Sequence, residues 1–169
     1  PGLAGRGHRL ERGLARRFAL AGHQVIIGSR SSERAAAAAQ EIGHGVQGLA
    51  NADAARGASV IIAAVPWEGH DDLLSALAGE LAGKIVVDCV NPLGFDQRGA
   101  YALPVAEGSA AQQAAALLPR SRVVAAFHHV SAVLLLDPEV DTIDLDVLVL
   151  GDDRAATDLV QALAARSLG

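Results

Sequence analysis

Apolar, β-branched runs along the chain alternate with Ala- and Leu-rich segments whose apolar positions recur at helical spacing. Five runs predict strands, near 24–28 (QVIIG), 59–65 (SVIIAAV), 84–90 (KIVVDCV), 122–127 (RVVAAF) and 146–150 (DVLVL). The helical spacing predicts helices near 9–22, 32–43, 70–81, 109–118 and 154–166. The strand runs are nearly continuously apolar and do not alternate, as expected of strands covered on both faces. The rhythm predicts an α/β fold, a doubly wound parallel sheet with helices on both faces.

Punctuation between the elements supports these bounds. Ser109 followed by Gln112 is a capping box, and Pro119 stops that helix after Leu118. Gly22 and Gly43 stand where left-handed helix ends are wanted. One element is missing. A Rossmann unit needs a strand before the first helix, and PGLAGRGH over 1–8 holds one large aliphatic residue and three glycines. This segment reads as an irregular basic tail, not a strand. The absent strand would lie mid-sheet and leave its neighbours without hydrogen-bond partners.

Composition narrows the class. Of 169 residues, 51% are hydrophobic and only 3% aromatic, so the core must be assembled from Ala, Val, Leu and Ile. A net charge of −5 weighs against a broad basic face for duplex nucleic acid. The single Cys, Cys89, excludes an internal disulfide and a Cys-rich zinc site. No apolar stretch approaches the ~18 residues of a membrane span, and residues 1–12 lack a signal peptide's apolar region. A cytoplasmic protein without nucleic-acid or membrane partners is expected. A chain without Met that starts at Pro1 is expected to begin at a processed, trimmed or mistranslated end.

Candidate chemistry follows the predicted strands. Gly5-Arg6-Gly7 is a degenerate version of the glycine turn that cradles a pyrophosphate. Gly28-Ser29-Arg30-Ser31 lies where an NAD enzyme carries an acid for the ribose 2′-hydroxyl. No acid is present. Ser29 can donate a hydrogen bond, and Arg30 and Arg34 can pair with a dianionic phosphate at a helix N-terminus. Together they predict a 2′-phosphate site and NADP over NAD; the bland alternative is a helix cap with two solvated arginines. Val65, Pro66 and Trp67 read equally as an apolar wall beside a nucleotide ring and as a turn with a space-filling indole. Asn91 and Pro92 leave the next strand, and Asn91 offers both an acceptor and a donor to a carboxamide. His128 and His129 leave the one after, pointing in different directions if extended. Metal binding there is disfavoured, since adjacent His residues lack the spacing of a metal site. His70 with Asp71 and Asp72 reads as a helix start. Cys89 reads as packing, and Asp137, Asp141, Asp144 and Asp146 as solvated loop.

Taken together, GLARRFALAGHQVIIGSR, AAVPWEGH, GKIVVDCVNPLGFD, EGSAAQQAAALLP, RVVAAFHHVSA and DVLVLGDD give a chain that, from Gly13 to Gly169, resembles the NADPH-dependent reductases of coenzyme F420, the F420:NADP oxidoreductases. The resemblance implies a Rossmann domain that passes hydride between NADP(H) and the deazaflavin. It places Ser29, Arg30 and Arg34 at the 2′-phosphate, Val65, Pro66 and Trp67 at the nucleotide-side turn, and Asn91, Pro92, Leu93 and Phe127 to Ser131 near the reacting rings. His128 and His129 are the candidates for a catalytic role, with no general acid assigned. Residues 1–12 are expected to be an atypical segment and 13–169 an incomplete NADP-binding domain. The family's loop GGTGxxGxG places its glycines on Arg6, His8 and Glu11, and a further C-terminal stretch, tied to the deazaflavin site and a dimer contact, is not represented. A homodimer stays open, as do a reductase of another acceptor and an inactive nucleotide-binding module.

Overall fold

The computed structural model describes residues 4–169, with side chains from residue 9 onward. Its elements run α1 (Ala4–Leu20), β1 (Ile26–Ser29), α2 (Ser32–Ile42), β2 (Gln47–Ala50), α3 (Asn51–Gly57), β3 (Val60–Ala63), α4 (His70–Ala76) and α5 (Ala78–Leu81). They continue as β4 (Ile85–Asp88), β5 (Leu93–Asp96), β6 (Gly99–Ala102), α6 (Ala110–Leu117), β7 (Arg122–Ala126), α7 (Ala132–Leu136), β8 (Val149–Leu150) and α8 (Arg154–Leu168). The predicted α/β alternation is present. Residues 4–8, expected to be irregular, instead have helical backbone continuous with α1.

Pairing is parallel through the body of the fold. β1 pairs with β2, β3 with β4, and β4 with β7, all parallel. A parallel pair needs a crossover that returns the chain to the strands' starting edge. Helix α3 shows this directly: it starts at Asn51, against Gly28 near the end of β1, and finishes at Gly57, against Ile26 at its start. Lys84, just before β4, donates to the carbonyls of Ala55 and Arg56 at the same end of α3. The carboxyl ends of β1, β3 and β4 thus lie at one edge.

The period of two in β4 sorts the core into two layers. Ile85, Val87 and Cys89 pack with Leu14, Phe18, Phe127, Leu135 and Val160, on the side of α1, α7 and α8. Val86 packs with Leu74, Leu81, Ala114 and Leu118, on the side of α4, α5 and α6. The side chain of Asp88 follows Val86 onto this second face. Small residues let backbones approach: a Cβ on Gly48 in β2 would lie 2.2 Å from the backbone of Ala35 in α2.

The sheet is divided as the sequence predicts. β1 and β2 form one two-stranded sheet, β3-β4-β7-β8 another of four strands. Among the described residues no strand pairs with the outer edge of β1 or with that of β3. One expectation is corrected: the 146–150 run contributes only Val149–Leu150, and this strand is antiparallel to β7. The chain enters β8 from the carboxyl edge, with no crossover helix to carry it to the other. The preceding loop is not merely solvated either. Buried Arg17 donates to the carbonyls of Leu134 (3.0 Å), Leu135 (3.2 Å), Asp141 (2.8 Å) and Val140. It satisfies the open C-terminal carbonyls of α7 and fixes the loop to α1. Burial and neighbouring Arg16 hold its pKa down, against Asp141 and Asp137, which raise it.

Gly48→Ala places a methyl inside the Ala35 backbone and should lower stability by about 1–3 kcal/mol. Urea unfolding monitored by circular dichroism checks this; an unchanged midpoint would show that α2 can lift from β2 without cost.

Candidate functional site

The carboxyl edge collects the exits of β1, β3 and β4, where ligands of open α/β sheets sit. At the first exit, Ser29 ends β1 and Ser31 caps α2, its hydroxyl accepting from the Arg34 amide (3.3 Å) and donating to Glu33 (2.6 Å). The Ser31 and Ser32 hydroxyls stabilise the Glu33 carboxylate and hold its pKa down. Ser29 Oγ meets the Ser31 amide at 3.4 Å. Arg30 and Arg34 are exposed, and neither has a hydrogen-bonding or ionic side-chain partner among the described residues. Two uncommitted guanidinium groups beside a helix N-terminus are of the chemistry that pairs with an anion. Gly28 lets the chain run close beneath α3, since a Cβ there would come within 2.9 Å of Asn51 Oδ1.

The second exit is a turn. Val65, Pro66 and Trp67 are half-buried, Gly69 takes a left-handed conformation with φ 88°, and His70 opens α4. The helix start expected at His70, with Asp71 and Asp72 in its first turn, is present. His70 does more than open a helix. Its ring is fully buried, with Nε2 2.6 Å from Asp88 Oδ2 and Nδ1 3.4 Å from Gln113 Oε1 in α6. The other Asp88 oxygen accepts from the Val90 amide at 2.8 Å. One carboxylate therefore ties the turn after β3 to the loop after β4. The sequence held a signal for this in KIVVD, because an acid that continues a buried apolar run requires a partner.

That loop carries Asn91, exposed, and Pro92, half-buried. Asn91 Nδ2 donates to the His128 carbonyl at 2.8 Å, joining the exits of β4 and β7. Beyond Pro92 the chain forms an antiparallel hairpin of β5 and β6 that the sequence reading leaves unassigned. At the β7 exit, Phe127 has a φ of 65°, a backbone region costly for a bulky residue. Its ring is buried edge-on against Phe18, with centroids 6.1 Å apart. The chain is therefore not extended there, yet the two His residues still part. His128 is half-buried, and burial lowers its pKa while nearby Asp88 raises it and His129 lowers it further. The net shift favours the neutral imidazole. His129 is exposed and its Nε2 lies 2.8 Å from the Asp146 carbonyl, at a shallow cleft lined also by Asp144, Leu145 and Leu148. His128 thus joins the Asp88–Asn91 region, whereas His129 turns to another surface. Cys89 is buried, and burial with Asp88 beside it pushes the thiol pKa far up, leaving no thiolate. The Gly5-Arg6-Gly7 side chains lie outside the described set, and among the described residues no cluster of three His, Cys, Asp or Glu is placed to hold a metal.

Residues 5–92 match the family model for NADP oxidoreductase, coenzyme F420-dependent. The chain is 39% identical over 163 residues to the F420-dependent NADP reductase of Methanothermobacter marburgensis, covering 90% of this chain and 72% of the relative. It is 36% identical to that of Methanocaldococcus jannaschii, at the same coverage. The chain belongs to the coenzyme F420-dependent NADP oxidoreductase family. A crystal structure from Arthrobacter sp. FB24, described as a candidate F420-dependent NADP-reductase, superposes with a TM-score of 0.77 at 31% identity, covering 94% of this chain and 77% of that one. In this family member, no helix among the described residues is long and apolar enough to cross a membrane.

The His70–Asp88 pair gives this oxidoreductase a pH signature. Burial disfavours the imidazolium, but the hydrogen bond and charge of Asp88, with Gln113 and Asp71, outweigh it and raise the His70 pKa above its ordinary 6.5. The pair's stabilisation is therefore complete below about pH 6.5, the unfolded histidine value, and is lost as pH rises through the higher folded-state value. Melting temperature should fall across that interval for the natural chain, and Asp88→Asn should flatten the fall; an equal slope in both would remove the pair as its cause.

Proposed function

We propose that the chain binds NADP(H) along the carboxyl edge and passes hydride between the nicotinamide and the deazaflavin of coenzyme F420. The observation that carries this reading is the pair of uncommitted guanidinium groups, Arg30 and Arg34, flanking Ser31 at the N-terminus of α2. An NAD-selective site keeps an acid at the strand end; here Ser29 and Arg30 follow Gly28 instead.

The roles divide by exit. Ser29, Arg30 and Arg34 hold the 2′-phosphate. Val65, Pro66 and Trp67 form the nucleotide-side wall, and Asn91 and Pro92 bound the region of the reacting rings. Residues 13–169 form the dinucleotide-binding unit in this reading. When bound, the nicotinamide supplies a hydride and becomes NADP⁺, and the deazaflavin takes up that hydride with one solvent proton; the reverse reaction returns both. Such a transfer depends on alignment and on exclusion of water more than on a protein acid. His128, half-buried near Asp88, with its pKa held down by burial and its carbonyl linked to Asn91, suits an uncharged edge to such a site. His129, directed to Asp146, is the weaker of the two candidates.

Arg30→Glu should weaken NADPH binding at least tenfold while changing NADH binding by less than about threefold, since only NADPH presents the dianion. Calorimetry with both nucleotides reads this, and equal losses would contradict a phosphate role. In the absorbance assay, NADPH should bleach oxidised F420 with the unmodified chain and do so more slowly with the variant.

A further inference from the structure

The Trp67 indole stacks on the His70 imidazole, with ring centroids 5.6 Å apart and planes inclined by 28°. Behind His70 lie the Asp88 carboxylate at 2.6 Å and the Gln113 amide oxygen at 3.4 Å. Three elements therefore meet on one buried ring: the turn after β3, the end of β4 and helix α6. We propose that protonated His70 is a positioning residue, which clamps the Val65–Trp67 turn to Asp88 in the arrangement that binds the dinucleotide. The inference rests on the reading of Val65, Pro66 and Trp67 as the nucleotide-side turn.

An imidazolium has two N–H donors, and both atoms that face it are acceptors. A neutral ring keeps one donor, so either Asp88 or Gln113 loses its bond unless the Gln113 amide turns over. The charge also attracts the indole face, an attraction the neutral ring lacks. Deprotonation thus weakens contacts on two sides of the ring at once, and the turn that rides on it is released. Among the described residues, the charged groups that act on the ring are Asp88 on β4 and Asp71 on its own helix, and both favour the imidazolium. His128 at the exit of β7 interacts with Asp88, and its lowered pKa favours the uncharged form.

Trp67 is the chain's only tryptophan, so its fluorescence reports the stack in the full chain without any assay of turnover. A stacked imidazolium quenches indole emission. Emission should therefore rise in one step as pH passes the raised His70 value, and His70→Gln, which keeps a donor toward Asp88, should give a flat profile. If protonation favours binding on the order of fivefold, reciprocity requires saturating NADP⁺ to move the step upward by about 0.7 pH units. Ionisation of the 2′-phosphate near pH 6 strengthens binding as pH rises, the opposite sign, and cannot imitate this. His70→Gln should bind NADP⁺ about fivefold more weakly at pH 6 and equal the natural chain above the step. A flat profile for the natural chain overturns the proposal, as does an unmoved midpoint with NADP⁺ that calorimetry shows to be bound. Calorimetry showing no NADP⁺ binding to the natural chain overturns the proposed function itself, and the positioning role with it.

Discussion

Parallel pairing is the constraint from which the geometry of the site follows. Each parallel step obliges the chain to return across a face of the sheet before the next strand begins. The return of α3 from Asn51 to Gly57, with Lys84 bonded to its last carbonyls, shows the consequence in detail. Strand exits collect at one edge, so residues far apart in sequence become neighbours there without any local instruction to do so. The same crossovers require helices to lie close on the sheet. This chain meets that need with small residues: Ala35, Ala114 and Ala156 are fully buried, and glycines occupy the positions where a Cβ would collide.

Charge at this edge is arranged against the trend of the molecule. The chain carries a net charge of −5, yet the exit of β1 presents two arginines and the amides of α2, with Glu33 held by hydroxyls at the same turn. A local field of that kind acts within about a Debye length of 8–10 Å at ordinary ionic strength. At the β4 exit the opposite device operates. Asp88 is fully buried, and each of its oxygens is engaged, one by the Val90 amide and the other by the His70 ring. Its charge is set against the His70 ring and a backbone amide and is not presented at the surface.

The legible part of the fold was the part written in side-chain periodicity. VIIA, IVV and VVAA are apolar runs because both faces of β3, β4 and β7 are covered, and the Ser109 cap accepts from the Gln112 amide as its spacing predicts. Strand β2 was illegible because QGLA owes its conformation to partners: Gly48 is required by the close approach of α2, a tertiary fact with no local signature. Helix α7, AVLLL, is five residues long and depends on Arg17 from α1 to close its carbonyls. Within the candidate site, Arg30 and Arg34 could be singled out because the strand end carries no acid at a topological position where an NAD site has one. His70 could not, because its partner lies 18 positions away across a crossover, and Asp71 and Asp72 offered a sufficient local explanation for its place at a helix start.

The division of the sheet bears on what a bound dinucleotide does to this molecule. The arginine notch belongs to the β1–β2 sheet and the Trp67 turn to the four-stranded sheet. Among the described residues the two sheets share no ladder; they are linked through α3, which packs on β1 while its last carbonyls hold Lys84 ahead of β4. In the proposed reading, a ligand that grips its 2′-phosphate at the one and its ring at the other spans both groups of described strands. Its binding free energy then acts on the relative placement of the sheets as well as on the site, through the ordinary linkage of ligand and fold. In the proposed mode of binding, the buried Asp88–His70 bond holds the turn that the four-stranded sheet contributes to the site.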